Sequence, residues 1–391
     1  MRPVLLNWNV NNVCGWGIVG LNLFFHWAND PDIRPLLGGP LSESEIAGTD
    51  PLRVFACREA ILASNQFQPQ LQHTRPGTRL NFPVLEGLGN GLAGPEGLRG
   101  VPTIARCVFE YTRLSDAEKI LAKYDFLVCA SHWNADLLRA HAGKRVETEL
   151  EGIDPSLFHP GPKSGQLDPD RFYVFSGGKV EYRKGHDLTL TAFREFSRRH
   201  EDAVLVTLWH SPWPQLSVGF KGKLAAPLEL NREGVIDVKR WVAANGIDPF
   251  KVIEIGLVPN PMMPAILREM DCVLAPSRAE ACTNLIAAEA MACGIPVLVA
   301  ENTGVKDLIA PGNSWPLTRQ TPIRDYTACG TEGWGESDVD EILDGLERLY
   351  ADSALRKAIG KTGADWMIAQ DRTWASHARA MKSLITSFAQ V

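Results

Sequence analysis

No uninterrupted apolar run in the 391 residues approaches the roughly 20 needed to cross a bilayer. The start, MRPVLLNWNVNN, lacks the apolar core and small-residue cleavage site of a secretory leader. The expectation is a cytoplasmic protein, with peripheral contact at the inner face of a membrane left open. Positive charge is also in short supply. Lys and Arg number 40 against 46 Asp and Glu, a formal net charge of -6, whereas a nucleic-acid binder needs a basic face to neutralise phosphates. The cysteines (Cys14, Cys57, Cys107, Cys129, Cys272, Cys282, Cys293, Cys329) are scattered singly without a C-x-x-C pair, and the histidines form no cluster at zinc spacing. Most of these cysteines read as small buried hydrophobes. Short-period repeats and low-complexity tracts are missing as well. What is left is an ordinary globular composition, 45% hydrophobic and 22% charged.

The length favours two domains. Apolar β-branched runs alternate with amphipathic stretches: VPTIARCVF, SDAEKILAKY, DFLVCAS, HWNADLLRAHAG. That alternation builds a parallel sheet from β-α units. DPSLFHPGPKSGQLDPDRF, 154–172, rich in Pro, Gly, Ser and Asp, reads as a linker. Beyond it the alternation restarts with RFYVFSGG and AVLVTLWH and continues through DCVLAPS to IPVLVA. Two doubly wound α/β domains are expected, with ligands in the loops beyond the carboxyl ends of the strands. At the end of the chain Trp374, Ala378, Met381, Leu384, Ile385 and Phe388 recur at helical spacing, so one face of a terminal helix must be buried.

Near the start, Gly15, Gly17 and Gly20 spell G-x-G-x-x-G. The dinucleotide reading of that motif requires a strand directly before it and an acidic residue closing the next strand. NNVC intervenes after the predicted strand PVLLNWNV, and the next strand-like run, RVFACRE at 53–59, comes late. The glycines therefore read as a strand-to-helix loop with its ligand open. Two further loops carry charge. VFSGGKVEYRKGHDLTLTAF, 174–193, places Lys179 and Lys184 before a helix starting near Gly185 or His186, where an anion is the natural guest. A solvated loop paired locally to Glu181 is the plain alternative. The second, 274–304, delivers Glu280, then opens a helix at Thr283, Asn284 and Leu285 whose first amides suit phosphate oxygens. Glu289 follows on that helix and could equally face solvent.

SRAEACTNLIAAEAMACGIPV resembles the signature of the family 4 retaining glycosyltransferases, and GGKVEYRKGHDLTLTAF is similar to their basic phosphate loop. EGIDPSLFHP and PAILREMDCVLAPSR extend the likeness over most of the second half, with a weaker one at FLVCASHWNADLLRA. The resemblance implies the GT-B fold: an acceptor-side domain over 1–160, a donor-binding domain over 161–371, and a terminal helix, 372–391, packing back on the first domain. It implies a nucleotide-sugar donor, UDP- or GDP-linked, and an unidentified glycan or lipid-linked acceptor, with no cofactor and no metal. Lys184 matches the family's donor-phosphate lysine, and Lys179 stands where the family has Arg, keeping charge but losing the bidentate fork. Glu280 matches the residue holding donor-sugar hydroxyls, and Glu289 the one on the ribose, with one residue more between them than is usual. Gly17, Gly178, Thr283, Asn284 and Leu285 fall on the donor side, Gly15 and Trp16 toward the acceptor. Where the family has a histidine, VFEYTRLS offers Glu110 and Arg113. Glu110 either meets sugar hydroxyls or the acceptor proton, or is an ion-pair partner of Arg113. The D-x-D triplets at Asp30/Asp32, Asp168/Asp170 and Asp338/Asp340 read as turns and caps. Trp209, Trp213 and Trp16 could stack on sugar faces, with core packing the commoner use for most. Competing readings are a nucleotide-sugar epimerase or hydrolase on the same scaffold, which would not depend on an acceptor, a non-enzymatic nucleotide-sugar binder, and last an oxidoreductase.

Overall fold

The computed structural model describes residues 1–388 apart from Pro76, Glu96, Gly143, Lys144 and Asp325. The first half contributes strands β1 (Arg2–Asn7), β2 (Ile33–Leu37), β3 (Val84–Leu88), β4 (Thr103–Cys107), β5 (Phe126–Cys129) and β6 (Val146–Thr148). Between them lie helices α1 (Gly15–Ala28), α2 (Pro51–Ala56), α3 (Arg58–Gln72), α4 (Ala117–Leu121) and α5 (His132–Arg139). The strands form one parallel sheet in the order β2-β1-β3-β4-β5-β6. The second half repeats the plan with β7 (Phe172–Lys179), β8 (Ala203–His210), β9 (Val252–Glu254), β10 (Cys272–Ala275), β11 (Val297–Ala300) and β12 (Trp315–Leu317). Its helices are α6 (His186–Arg199), α7 (Val238–Ala244), α8 (Met263–Leu267) and α9 (Leu285–Ala292). That sheet is also parallel, in the order β12-β11-β10-β7-β8-β9. A short antiparallel hairpin, β13 (Gln320–Pro322) with β14 (Gly335–Ser337), precedes α10 (Val339–Ala351), α11 (Ser353–Ala369) and α12 (Trp374–Phe388).

Helices cover both faces of each sheet, so central strands such as VLEGL and TIARC are buried along their whole length. Strand order reverses at β1 in the first sheet and at β7 in the second. Crevices open at such reversals, beyond the carboxyl ends of the strands. The β1-to-α1 loop, the β7-to-α6 loop and the β10-to-α9 loop are thereby the ones presented to a ligand.

RVFACRE is helical rather than a strand, divided between α2 and α3. Asp50 caps α2 by accepting the Leu52 N–H at 2.7 Å and Pro51 occupies its first turn, a start signal that overrides the apolar, β-branched look of the run. The edge strand β2 comes earlier, in IRPLL, where Pro35 is tolerated because the strand lies at the sheet margin. The glycines also differ from the expectation, since Gly15, Gly17 and Gly20 lie inside α1 and the loop ends at Cys14. A Cβ on Gly17 would fall 2.5–2.6 Å from atoms of Asn11, and one on Gly20 2.6 Å from the Trp8 ring and Val10. Both glycines let α1 press onto the loop that precedes it.

The backbone passes between the halves along two adjacent segments. The Ile153 amide donates to the Arg372 carbonyl and the Trp374 amide to the Ile153 carbonyl, each at 3.0 Å. Helix α12 then buries Trp374, Ala378, Met381 and Ile385 in the apolar cluster of the first half, beside Phe24 and Trp27 of α1. The Trp27 indole donates to the Ala378 carbonyl at 3.0 Å, and Lys382 reaches Asp30 and Asp32 at 2.7 Å.

Candidate functional site

Gly185, at φ +69°, ends the β7-to-α6 loop, and a Cβ there would lie 2.3 Å from the Pro276 carbonyl oxygen. Only glycine lets the start of α6 close onto the β10-to-α9 loop so tightly. The result is a meeting of charges. Lys184 Nζ donates to both oxygens of Glu280, at 2.8 and 2.9 Å. Ser277 Oγ, at 2.6 Å, and Asn284 Nδ2, at 2.9 Å, donate to the same carboxylate. Burial raises the Glu280 carboxyl, but Lys184 and Arg183 outweigh it, so the net shift is downward and the group stays ionised.

Arg183 was missed by sequence reasoning, which singled out its lysine neighbours. It donates to Glu280 at 3.1 Å and pairs with Glu181 at 2.7 Å and with Glu110 of the first half at 3.4 Å. The Glu181 carboxyl is raised by burial yet held at about 2 by Arg183 and Lys179. Lys179 reaches Glu181 at 3.0 Å and lies 5.4 Å above the half-exposed Trp213 ring. The loop is thus not a solvated one: Arg183 is buried and Lys184 nearly so. Glu110 pairs across the cleft with Arg183 rather than with Arg113, and it accepts from Asn90 Nδ2 at 2.8 Å. Behind the loop, burial and then Lys184 push the His186 imidazole down to about 3, so it is neutral.

The start of α9 differs in detail from the expectation. Asn284 Oδ1 accepts the Ala287 N–H at 3.2 Å, so one amide expected to be open to an anion is taken by the cap. Thr283 Oγ1 accepts from Arg372 Nη2 at 2.8 Å, tying this turn to the segment that precedes α12. Leu285 Cδ1 lies 3.9 Å from where a Gly15 Cβ would be, so the first turns of α1 and α9 face each other. Gly178, at φ +120°, sits where β7 turns toward Lys184. The half-buried Trp16 ring lies 5.0 Å from the Arg106 guanidinium and close enough to Gly87 that a Cβ there would be 2.6 Å away. Trp209 is buried in the core.

Glu289 is buried rather than solvent-facing, and Asn260 Nδ2 donates to it. Desolvation pushes its carboxyl up to about 8, so it is protonated at neutral pH. Asn260 also lines a cavity of about 740 Å³ between α1 and the second half, with Asn12, Asn22, His26, Arg53 and Asp154. The D-x-D aspartates are engaged elsewhere: Asp30 and Asp32 with Lys382, Asp168 in a turn with the Asp170 amide at 3.0 Å, and Asp338 capping α10 at 2.9 Å. Among the described residues no group of His, Cys, Asp and Glu is arranged to hold a metal, and no helix is long and apolar enough to cross a membrane.

Residues 171–352 match the family model described as "Glycosyl transferases group 1". A D-inositol 3-phosphate glycosyltransferase from Catenulispora acidiphila is 27% identical over 280 residues, covering 69% of this chain and 61% of that protein. One from Segniliparus rotundus is 25% identical over 285 residues, covering 69% and 56%. The chain thus spans less than two thirds of the length of these relatives. Sucrose-phosphate synthase from Thermosynechococcus elongatus superposes over 100% of both chains, with a TM-score of 0.64 and 14% identity. Anabaena HepE in complex with UDP-glucose covers 99% of this chain and 100% of its own, with a TM-score of 0.61 and 12% identity. The likeness fixes the fold: two doubly wound Rossmann-like domains in the GT-B arrangement of glycosyltransferases.

Proposed function

We propose that this chain is a retaining glycosyltransferase of the family 4 type, moving a sugar from a UDP- or GDP-linked donor to an acceptor hydroxyl. One observation carries the reading: Lys184 and Arg183 converge on Glu280 at the strand-order reversal of the second domain, in the segment that matches the group 1 family model. In transfer from a nucleotide sugar, negative charge builds on the departing diphosphate while the sugar becomes oxocarbenium-like. Stabilising that charge with groups already in place is the dominant kind of catalysis available to such a site. Each cation here is balanced by a carboxylate. A diphosphate would draw Lys184 and Lys179 from Glu280 and Glu181, leaving Glu280 free to accept from donor-sugar hydroxyls. Protonated Glu289 is a hydrogen-bond donor as well as an acceptor, suited to a ribose diol. The GT-B neighbour solved with UDP-glucose supports a uridine donor.

The leaving diphosphate, on the same face as the incoming hydroxyl, would help take its proton, and no covalent nucleophile is assigned. On this reading Glu110 would accept from sugar hydroxyls or take the acceptor's proton. The relatives are named for D-inositol 3-phosphate, so that compound joins glycan and lipid-linked acceptors in a screen. The test is nucleotide release from UDP-glucose, UDP-N-acetylglucosamine and GDP-mannose with these acceptors, in EDTA and in magnesium. Acceptor-dependent release is expected, persisting in EDTA, and falling at least ~10-fold, about 1.4 kcal/mol, in K184A. Release indifferent to acceptor would favour a hydrolase, and loss in EDTA restored by magnesium would assign the charge to a metal.

A further inference from the structure

The hairpin β13–β14, with Cys329, Gly330, Glu332 and Trp334 from the connection between its strands, forms an arm of the second domain that reaches across the cleft. Trp334 is almost fully buried, and its indole N–H donates to the Glu110 carbonyl at 2.8 Å. The Glu332 amide donates to Thr112 Oγ1 at 3.1 Å, the Thr112 amide to the Gly330 carbonyl at 3.2 Å, and the Arg113 amide to the Cys329 carbonyl at 2.6 Å. The Trp334 ring also stacks on Tyr111, with centroids 5.5 Å apart. Glu110, Tyr111, Thr112 and Arg113 are therefore each held by the arm, while Asn90 Oδ1 takes the Glu110 and Tyr111 amides from the other side.

The root of the arm is equally fixed. The Gly335 amide donates to the Arg278 carbonyl at 3.0 Å, and Glu336 accepts from the Arg278 guanidinium at 2.7 and 2.9 Å. That guanidinium, wholly buried, is bidentate to Asp187 in the first turn of α6 at 2.7 and 2.8 Å. The contacts close a ring: from α6 through Arg278 and Glu336 to Trp334, on to Glu110, and back through Arg183 to the loop that carries Lys184. Opening the cleft would have to break both links of this ring to Glu110, at Trp334 and at Arg183.

We propose that Trp334 is a positioning residue, and that the arm, through residues 329–336, is a clasp setting the Glu110 carboxylate against Arg183 in the closed enzyme. The role assigned to Glu110 rests on the glycosyltransferase reading; the clasp itself does not. Amide exchange needs no substrate. Thr112 and Arg113 should exchange slowly in wild type and at least ~10-fold faster in W334A, with β4 unchanged, because their acceptors belong to the arm. The catalytic arm of the test compares W334F, which keeps the ring and loses the N–H, with E110A and the double variant, using UDP-glucose and GDP-mannose. W334F should lower kcat several-fold with the donor KM nearly unchanged. The double variant should be no slower than E110A, since Trp334 acts through Glu110. Losses that multiply in the double variant, or exchange at Thr112 and Arg113 indifferent to W334A, would overturn the proposal. Fast exchange in W334A, with neither donor turned over by wild type, would uphold the clasp and count against glycosyl transfer.

Discussion

The junctions at the two strand-order reversals, β1 to α1 and β7 to α6, both depend on glycine but spend it differently. In the first, Gly17 and Gly20 seat α1 on Trp8, Val10 and Asn11, all uncharged. In the second, Gly185 brings α6 onto the β10 loop and so forces Lys184 against Glu280. One fold element thus serves two purposes. The first domain uses close approach to fix a shape, and the second uses it to hold opposed charges together.

The comparison breaks most completely by removing what stands behind the first junction. Deleting residues from Arg372 onward exposes the α1 surface that Trp374, Met381 and Ile385 cover. At about 1.5–3 kcal/mol per large side chain, the loss in urea denaturation should be on the order of 5 kcal/mol. Nucleotide affinity should fall with it, because Arg372 also holds Thr283 at the start of α9. A truncated protein that melts and binds like the full chain would show α12 to be a passive tail.

Substituting within the glycine motif sharpens the contrast on a smaller scale. G17A drives a methyl into the backbone of Asn11 and should cost about 2–3 kcal/mol. G15A, at an exposed position with only Leu285 at van der Waals distance, should stay within about 0.5 kcal/mol. Equal effects on the unfolding midpoint would mean that the motif acts as a unit and not through one close approach.

A gentler probe is pH. With its folded carboxyl at about 8, Glu289 keeps a proton that the unfolded chain releases near the usual carboxylate range. The folded state binds the extra proton in that window, so this contribution is complete at low pH and fades as pH rises toward 8. Stability measured at pH 5 and pH 8 should therefore decline less in E289Q than in wild type. Parallel declines would place the titration elsewhere.

Legibility in the sequence followed the physics of each element. Central strands and the two charged loops could be read because buried parallel strands are continuously apolar and their loops are punctuated by glycine. RVFACRE misled because its β-branched and aromatic residues outweighed the Asp50–Pro51 start signal just before it. Arg183 was hidden because adjacent cations look alike until folding buries one of them. The partnership of Glu110 with Arg183 joins distant segments, and no local pattern announces it. The β13–β14 arm went unseen because its strands are three residues each, too short for a period-2 signal.

The most direct measurement is isothermal titration of UDP and of GDP into wild type and K184A. One of the two nucleotides should bind wild type and weaken at least ~10-fold in K184A, since phosphate would take over the ammonium that Glu280 now holds. Failure of both nucleotides to bind a folded wild-type protein, or equal affinity in K184A, would contradict the assignment of the second junction as a diphosphate site.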